Sequence, residues 1–264
     1  MVMKNNITII MSYWNVENEY WEKSIQSILK FNIPVIIFND NCDEEYREQL
    51  FKYKDKIKII DSKKNYGQPT ATWNTLQEVK TKYVIRVDSD DELLSLPSTN
   101  QEFEALHIKG KVATNIWDWL KNGGSLNGSI YTTELFKFMY KDHEFMGKFN
   151  RWIHEDNYAL LRLFYYKKDA KIIHSNNRKC YRRNFREGSE VSFKVARRIS
   201  MRFETFKLML MQDENNDVKD FIKYDIIIRG YDNYVINKGI ITEEFIQECT
   251  DEYNKRDFNF SLII

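Results

Sequence analysis

The feature that most constrains the fold is a regular alternation of short apolar runs with helical segments in the first third of the chain. Apolar runs at residues 7–11, 34–38, 57–60 and 83–87 predict buried strands. The segments between them, residues 17–30, 44–54 and 69–79, are predicted to be helices. Strands that alternate with helices indicate a mostly parallel sheet with right-handed crossovers. The predicted class is therefore α/β, with a Rossmann-like central sheet flanked by helices.

Beyond residue 91 the pattern is less regular. Strands are predicted at 112–117, 129–132 and 172–173, and a helix at 157–164. From Phe193 onward, apolar residues recur at spacings of three and four, which is typical of an amphipathic helix. We therefore predict an α/β domain over residues 1–192 and a helical annex over residues 193–264.

Composition narrows the class of protein but not its partner. Hydrophobic residues make up 42% and charged residues 30%, which is typical of a globular protein and excludes a mostly disordered chain. The net charge of +1 indicates neither an anionic nor a cationic partner. Cys42, Cys180 and Cys249 have neither zinc-site nor disulfide spacing, and no run reaches the ~18 apolar residues of a membrane span. We expect a cytoplasmic protein whose membrane contact, if any, is peripheral.

The carboxylate-rich run Asp88-Ser89-Asp90-Asp91, called the acidic loop below, directly follows the fourth predicted strand. In open α/β sheets, ligands bind beyond the carboxyl ends of the strands, which makes this loop a candidate site. Clustered carboxylates repel one another unless a cation lies between them, and Mg²⁺ or Mn²⁺ shared with phosphate oxygens fits such a site. From this loop alone, a solvated acidic turn is an equally weighted alternative.

Other segments favour the same edge of the sheet. Polar turns follow the first two predicted strands, at residues 12–15 and 39–41. In the segment 65–74, Gly67 permits a sharp bend and Pro69 suits the first turn of a helix, whose N-terminus could hold phosphates. Taken alone, an ordinary loop and helix start explains this segment better.

Acidic and basic residues in the second half add two further candidates. Glu155 and Asp156 precede a predicted helix, where a carboxylate could accept a proton from an attacking hydroxyl or could cap the helix. The basic stretch 178–202 begins with arginines whose guanidinium groups could hold a leaving diphosphate, namely Arg182, Arg183 and Arg186. Its helical part, with Arg197 and Arg198, is either a solvated face or a surface for an anionic acceptor such as nucleic acid or a lipid headgroup.

Together and in this order, these segments resemble glycosyltransferase family 2 over roughly residues 7–192. The matching motifs are Ser12-Tyr13-Trp14-Asn15 for a P-x-Y-N-like turn, Asn39-Asp40-Asn41-Cys42 for D-D-G-S, Asn65, Gly67, Ala71 and Asn74 for N-x-G-x-x-x-A-x-N, the acidic loop for D-x-D-D, Glu155-Asp156 for E-D, and Tyr181-Arg182-Arg183-Asn184 with Gly188-Ser189 and Ser192 for Y-R-x-H…S-x-S. The chain departs from the pattern at Ser12, Asn39 and Asn184, where the family has proline, aspartate and histidine. It lacks the Q-x-x-R-W motif of processive members.

The resemblance implies the GT-A fold and an inverting, metal-dependent transfer of a sugar from a nucleotide-diphosphate donor, most commonly a UDP-sugar. Asp88 and Asp90 would hold Mn²⁺ or Mg²⁺, with Asn184 or His174 completing its coordination. Asp156, beside Glu155, would be the catalytic base. The donor-binding positions implied are Ser12, Tyr13, Asn15, Asp40, Asn65, Gly67, Asn74, Asp88, Ser89, Asp91, Arg182, Arg183 and Arg186.

The acceptor stays open at this point. A surface polysaccharide or glycolipid is the expected acceptor, and a hydroxymethylated base in DNA, as in bacteriophage DNA glycosylation, is the alternative. The fold also occurs in nucleotidyltransferases, but the turn at residues 12–15 lacks the glycines and basic residues of their phosphate loop. A non-catalytic binding module is the third possibility.

Overall fold

The computed structural model describes residues 6–108, 126–141, 143–148, 155–167, 169–175 and 179–184. By its contacts the chain divides into two compact units, the first formed by Met1–Arg151 and Ala159–Asn184 and the second by Trp152–Tyr158 and Phe185–Ile264. The strand predicted at 112–117 and the helical annex predicted from residue 193 lie outside the described residues.

The described part of the chain contains nine strands and six helices. The strands are β1 (Ile7–Tyr13), β2 (Val35–Asn39), β3 (Lys58–Asp61), β4 (Tyr83–Arg86), β5 (Glu92–Leu93), β6 (Ala105–His107), β7 (Ile130–Thr132), β8 (Ile172–His174) and β9 (Tyr181–Arg182). The helices are α1 (Asn18–Leu29), α2 (Glu44–Phe51), α3 (Gln68–Glu78), α4 (Thr133–Met139), α5 (His143–Lys148) and α6 (Glu155–Tyr166).

Seven strands form the central sheet, in the order β3-β2-β1-β4-β7-β6-β8. The first four are mutually parallel, β7 runs antiparallel to both of its neighbours, and β6 and β8 are parallel. A separate two-stranded antiparallel sheet joins β5 to β9, with Glu92 opposite Arg182 and Leu93 opposite Tyr181. The mostly parallel α/β sheet predicted from the sequence is therefore confirmed.

Burial explains why β1, β2 and β4 were recognisable, whereas β3, also predicted to be buried, is an edge strand whose residues are exposed or partly exposed. β1 and β2 are buried at almost every position, because helices cover a parallel sheet and leave no solvated face that would require alternation. On α1, Trp21, Ile25 and Ile28 share one buried face, as their helical spacing predicts. The Trp21 ring packs edge-on against Tyr13, with the ring centroids 4.7 Å apart, and thereby fixes α1 against the end of β1.

The structure also corrects the predicted elements. β1 continues two residues beyond the predicted end at residue 11 and includes Tyr13. The strands β5, β6 and β9 and the helices α4 and α5 were not predicted, since these segments have two to seven residues and no extended period. None of the helices in the described ranges combines the length and the apolar character needed to cross a bilayer.

Candidate active site

The loops that follow β1, β2 and β4 lie at one edge of the sheet, because these strands are parallel neighbours. The backbone N–H of Asp40, just after β2, donates to the carbonyl of Tyr13 at 2.9 Å. Asn15 and Asp43 join the same two loops by two hydrogen bonds of 2.8 Å. The loop after β1 is therefore fixed to the loop after β2, next to the strand that leads into the acidic loop.

Asp40 organises the start of α3. Its carboxylate is buried and accepts hydrogen bonds from the backbone N–H groups of Tyr66, at 2.7 Å, and Gly67, at 2.8 Å. Gly67 has a φ of +80°, which a residue with a side chain adopts only with strain. Asp40, a predicted donor-binding residue, therefore uses both carboxylate oxygens to hold the two residues that directly precede α3.

Two large hydrophobic side chains stand out at this edge because they are exposed to solvent. Trp14 is 50% exposed and Tyr66 is 48% exposed. Trp14 directly follows Tyr13, whose carbonyl accepts from the backbone of Asp40, and the backbone N–H of Tyr66 donates to the Asp40 carboxylate. Tyr13, which was predicted to bind the donor, is instead fully buried, and its hydroxyl donates to the carbonyl of Tyr46 and accepts from Gln49.

The prediction of site residues omitted Trp14. Trp14 could have been identified if the first strand had been extended to Tyr13. Trp14 is then the first residue after the strand, where a side chain can be exposed. Of the other predicted donor-binding residues in these loops, Ser12, Asn15, Asn65 and Asn74 are all partly exposed.

Asp88 opens the acidic loop and contacts a buried polar network. One carboxylate oxygen accepts a short hydrogen bond from the side-chain amide of Asn127, and the other lies 3.5 Å from a guanidinium nitrogen of Arg86. The same oxygen accepts a 3.5 Å hydrogen bond from Gln68 at the start of α3. The backbone N–H of Asp88 donates to the hydroxyl of Tyr181 at 3.2 Å. No sequence motif assigns a role to Arg86, Asn127 or Gln68.

Asp91 closes the loop in a buried position. Its carboxylate accepts hydrogen bonds from the hydroxyl of Tyr181, at 2.8 Å, and from the backbone N–H of Asn184, at 2.9 Å. Burial, together with the negative charges of Asp88 and Asp90, raises the pKa of Asp91 to about 7, against the hydrogen bonds that oppose the shift. Burial also raises the pKa of Tyr181 well above its usual value, so this hydroxyl is a neutral donor.

The carboxylate side chains of the acidic loop fit a hard divalent cation that is shared with a diphosphate. Asp88 and Asp90 are both partly exposed, whereas Ser89 and Asp91 are buried. No group of three or more carboxylate, histidine or cysteine side chains converges as a metal cage within the described ranges. Such cations are often held by one or two carboxylates and by substrate phosphates, so two aspartates at this edge suffice.

Asn184 lies beside the acidic loop, and its side-chain amide donates to the backbone carbonyl of Asp90 at 2.8 Å. His174 lies on β8, three strands from β4, which corresponds to roughly 14 Å at the usual spacing between strands. Of the two residues predicted to complete the coordination of a metal, the fold therefore favours Asn184.

The remaining predicted residues have simpler surroundings. Glu155 and Asp156 form the first turn of α6, which begins two residues before the predicted start at residue 157, and both are partly exposed. They belong to the second compact unit, and their catalytic roles stay predictions. Arg182 pairs with Glu92 across the small sheet at 3.2 Å, and Arg183 is exposed. Arg186 lies outside the described residues.

The sheet order β3-β2-β1-β4-β7-β6-β8, with an aspartate loop after β4, is that of an α/β domain of the GT-A type. The model of the family "Glycosyl transferase family 2" matches residues 8–162, and the chain belongs to this family. The resemblance inferred from the motifs is confirmed.

One curated relative and two solved structures illustrate the likeness. The chain is 36% identical over 104 residues to a teichoic acid poly(glycerol phosphate) polymerase from Staphylococcus epidermidis, a match that covers 36% of this chain and 14% of that protein. TarS 1-349 from S. aureus in complex with UDP-GlcNAc has a TM-score of 0.57 at 18% identity, covering 92% of this chain and 79% of that one. The mannosyltransferase PcManGT from Pyrobaculum calidifontis, in complex with GDP-Man and Mn²⁺, has a TM-score of 0.54 at 10% identity, covering 98% and 82%. At these identities the two structures show the fold alone.

Proposed function

We propose that the chain transfers a sugar from a nucleotide-diphosphate donor to an acceptor hydroxyl, with a divalent cation at the acidic loop. The observation that carries this proposal is the position of Asp88 and Asp90, partly exposed at the carboxyl end of β4 in a family 2 domain. Ligands of such sheets bind at this edge. The nucleotide sugars in the complexes of TarS and PcManGT support the same class of donor.

The nucleoside of the donor binds at the loops after β1, β2 and β3. Trp14 and Tyr66 offer exposed aromatic faces there, and a nucleobase gains free energy by stacking on such a face. Asp40 holds the backbone of Tyr66 and Gly67, so it positions one of these aromatic residues. Stacking accepts any base, and UDP is the donor nucleotide that we propose from the family and from TarS.

The diphosphate of the donor binds at the acidic loop. Asp90 and Asp88 would hold Mn²⁺ or Mg²⁺ there, with Asn184, whose side-chain amide contacts the backbone of Asp90, as a further candidate ligand. When bound, the cation supplies positive charge that stabilises the negative charge developing on the leaving diphosphate. Asp91 is buried, and its carboxylate accepts hydrogen bonds from Tyr181 and Asn184, so we assign it to holding the shape of the loop.

The proton chemistry is assigned to Asp156. Its carboxylate takes the proton of the acceptor hydroxyl, whose oxygen then forms a bond to the anomeric carbon from the face opposite the diphosphate. The bond from that carbon to the diphosphate breaks, the nucleoside diphosphate leaves, and the configuration inverts. The support for this role is the motif Glu155-Asp156 in a family 2 chain and its place at the start of a helix.

The acceptor that we propose is a surface polymer or its lipid-linked precursor. The support is the similarity to a teichoic acid polymerase over 104 residues. The chain spans only 14% of the length of that relative, so the similarity suggests the type of polymer and not the reaction. The arginines predicted to bind an anionic acceptor such as DNA, Arg197 and Arg198, lie outside the described residues.

The function is tested by incubating the protein with UDP-GlcNAc, UDP-glucose and GDP-mannose and measuring the release of nucleoside diphosphate with Mn²⁺ and with EDTA. We expect release from one donor, dependent on Mn²⁺ and lost in Asp90→Asn. The matched control is Asp55→Asn, an exposed aspartate in the α2–β3 loop, which should retain the wild-type rate. Metal-independent release, or none from any nucleotide sugar, would overturn the proposal.

The role of Asp156 has its own test. Asp156→Asn should lose transfer while binding the donor with the wild-type affinity, because a base acts on the acceptor and not on the donor. Turnover close to that of the wild type in this variant would remove Asp156 from the mechanism without affecting the donor site.

A further inference from the structure

The carboxylate of Asp88 is held on both of its oxygens, and two of the neighbours that hold it, Asn127 and Arg86, belong to none of the sequence motifs. One oxygen accepts from the amide of Asn127, and the other forms an ion pair with Arg86 at 3.5 Å. The Asp88 side chain is 30% exposed, whereas that of Arg86 is only 4% exposed. One face of the carboxylate is therefore bound to the protein interior, and the remainder faces solvent.

Asn127 connects the two charged residues. Its carbonyl oxygen accepts from Nε of Arg86 at 2.7 Å, and its amide nitrogen donates to Asp88. The opposite orientation of the amide would place NH₂ against the Arg86 N–H and oxygen against the Asp88 carboxylate, which are two repulsive contacts. The amide therefore has one stable orientation, and its hydrogen bond to Asp88 fixes the rotation of that carboxylate.

The turn that carries Asn127 is itself rigidly held. The next residue, Gly128, donates its backbone N–H to the carbonyl of Arg86 at 2.8 Å and has a φ of +76°. A Cβ atom at Gly128 would lie 2.7 Å from the Tyr181 ring and 2.8 Å from Ile108, so the turn packs against both without room for a side chain. Tyr181 in turn bonds to Asp91 and to the backbone of Asp88.

Arg86 supplies a buried positive charge behind this arrangement. A guanidinium group out of water is costly unless anions and hydrogen-bond acceptors surround it. Asn127, Tyr140 and Asp88 are the acceptors that the structure places around it. The ion pair keeps Asp88 directed toward Arg86, and the hydrogen bond to Asn127 sets the rotation of the carboxylate.

We propose that Asn127, backed by Arg86, is a positioning residue that presents the Asp88 carboxylate to the cation and diphosphate in one orientation. This inference rests on the proposed function, because it assumes that Asp88 faces a metal-bound donor. Asn127 itself contacts neither. Removing partners that orient a metal ligand typically weakens metal binding by about 10- to 100-fold, and we expect an effect in this range.

The test measures Mn²⁺ binding in the presence of UDP. Binding is detected as a decrease in the electron paramagnetic resonance signal of free Mn²⁺. Asn127→Ala should raise the apparent Kd for Mn²⁺ by about tenfold or more, because Asp88 loses its orienting partner. The control is Thr133→Ala, which removes a partly buried 2.7 Å hydrogen bond to the carbonyl of Thr81 at the opposite edge of the sheet. This variant should bind Mn²⁺ as the wild type does, and urea unfolding of both variants shows whether their losses of stability are comparable.

The outcomes distinguish a failure of the positioning role of Asn127 from a failure of the proposed function. If the wild type and Asn127→Ala bind Mn²⁺ equally, Asn127 is not a positioning residue, and the proposed function stands. If the wild type itself binds no Mn²⁺ with UDP, both are wrong. If Thr133→Ala weakens Mn²⁺ binding as much as Asn127→Ala does, the effect is general destabilisation, and the inference fails. Should Asn127→Ala not fold, Asn127→Ser, which keeps a polar group in the turn, takes its place with the same expectation.

Discussion

Replacing Asp40 by asparagine tests whether its buried carboxylate stabilises the folded protein in the absence of any ligand. Its two oxygens accept from the backbone N–H groups of Tyr66 and Gly67 at 2.7 and 2.8 Å. In Asp40→Asn only one acceptor oxygen remains, and the new NH₂ group faces the other backbone N–H. One charge-assisted hydrogen bond is lost and one buried donor is left without an acceptor.

The magnitude follows from these two terms. A hydrogen bond to a charged group contributes about 1.5–3 kcal/mol, and a buried donor without a partner costs about 1–3 kcal/mol. Because the loop relaxes in part, we expect a loss of about 2–5 kcal/mol in the free energy of unfolding. Domains of ordinary stability unfold with about 5–15 kcal/mol, so the variant should fold but be clearly weakened.

Urea unfolding without nucleotide measures this loss, since donor binding then does not contribute. The matched control is Asp43→Asn in the neighbouring loop, whose exposed carboxylate accepts one hydrogen bond from Asn15 at 2.8 Å. The control should lose less than about 1 kcal/mol, as expected for a surface substitution near a helix start. If Asp40→Asn is no less stable than the control, Asp40 does not hold the start of α3, and its conformation must have another cause.

Three further outcomes are expected. Gly128→Ala should destabilise the protein by about 2–4 kcal/mol in urea unfolding, because it adds backbone strain at positive φ to a clash with Tyr181, and a loss below about 0.5 kcal/mol would contradict the packing of this turn. Trp14→Ala should weaken UDP binding about tenfold in calorimetry, since base stacking on an aromatic ring contributes about 1–3 kcal/mol, and an unchanged Kd would remove Trp14 from the donor site. In the metal-free protein, Asp91 should contribute a decrease in stability as pH rises from about 4 to 7, because its pKa of about 7 in the folded state lets it keep its proton longer than in the unfolded state. Asp91→Asn should remove this contribution, so that stability falls less or rises more over this range than in the wild type, and identical slopes in the two proteins would contradict it.

The parts of the fold that could be predicted are those whose cause is local. Strands covered by helices on both faces are continuous apolar runs, so β1, β2 and β4 are visible in the sequence, as is the apolar pair Ile59-Ile60 of the edge strand β3. The right-handed crossover then gives their parallel arrangement. β5 and β9 have two residues each, too short for any periodicity, and they form only because residues about 90 positions apart pair with each other.

The same distinction applies to the site. The acidic loop was predicted because its carboxylates are adjacent in sequence and follow a strand. Asn127 could not be found in this way, since it reaches Asp88 from 39 positions away and lies in a segment that matches none of the motifs. Tyr13 and Trp14 differ for a third reason: the exact end of a strand decides which of two neighbouring aromatic residues is buried, and sequence patterns locate such ends poorly.

The central claim is that the acidic loop brings a divalent cation and a nucleotide diphosphate together. Calorimetric titration of UDP into the protein, with Mn²⁺ and with EDTA, tests it most directly in the wild type and in Asp90→Asn. We predict that Mn²⁺ tightens UDP binding at least tenfold in the wild type and has no effect in Asp90→Asn, because that variant lacks a carboxylate proposed to hold the metal. Equal affinity for UDP with Mn²⁺ and with EDTA in the wild type, or an undiminished effect of Mn²⁺ in Asp90→Asn, would contradict the claim.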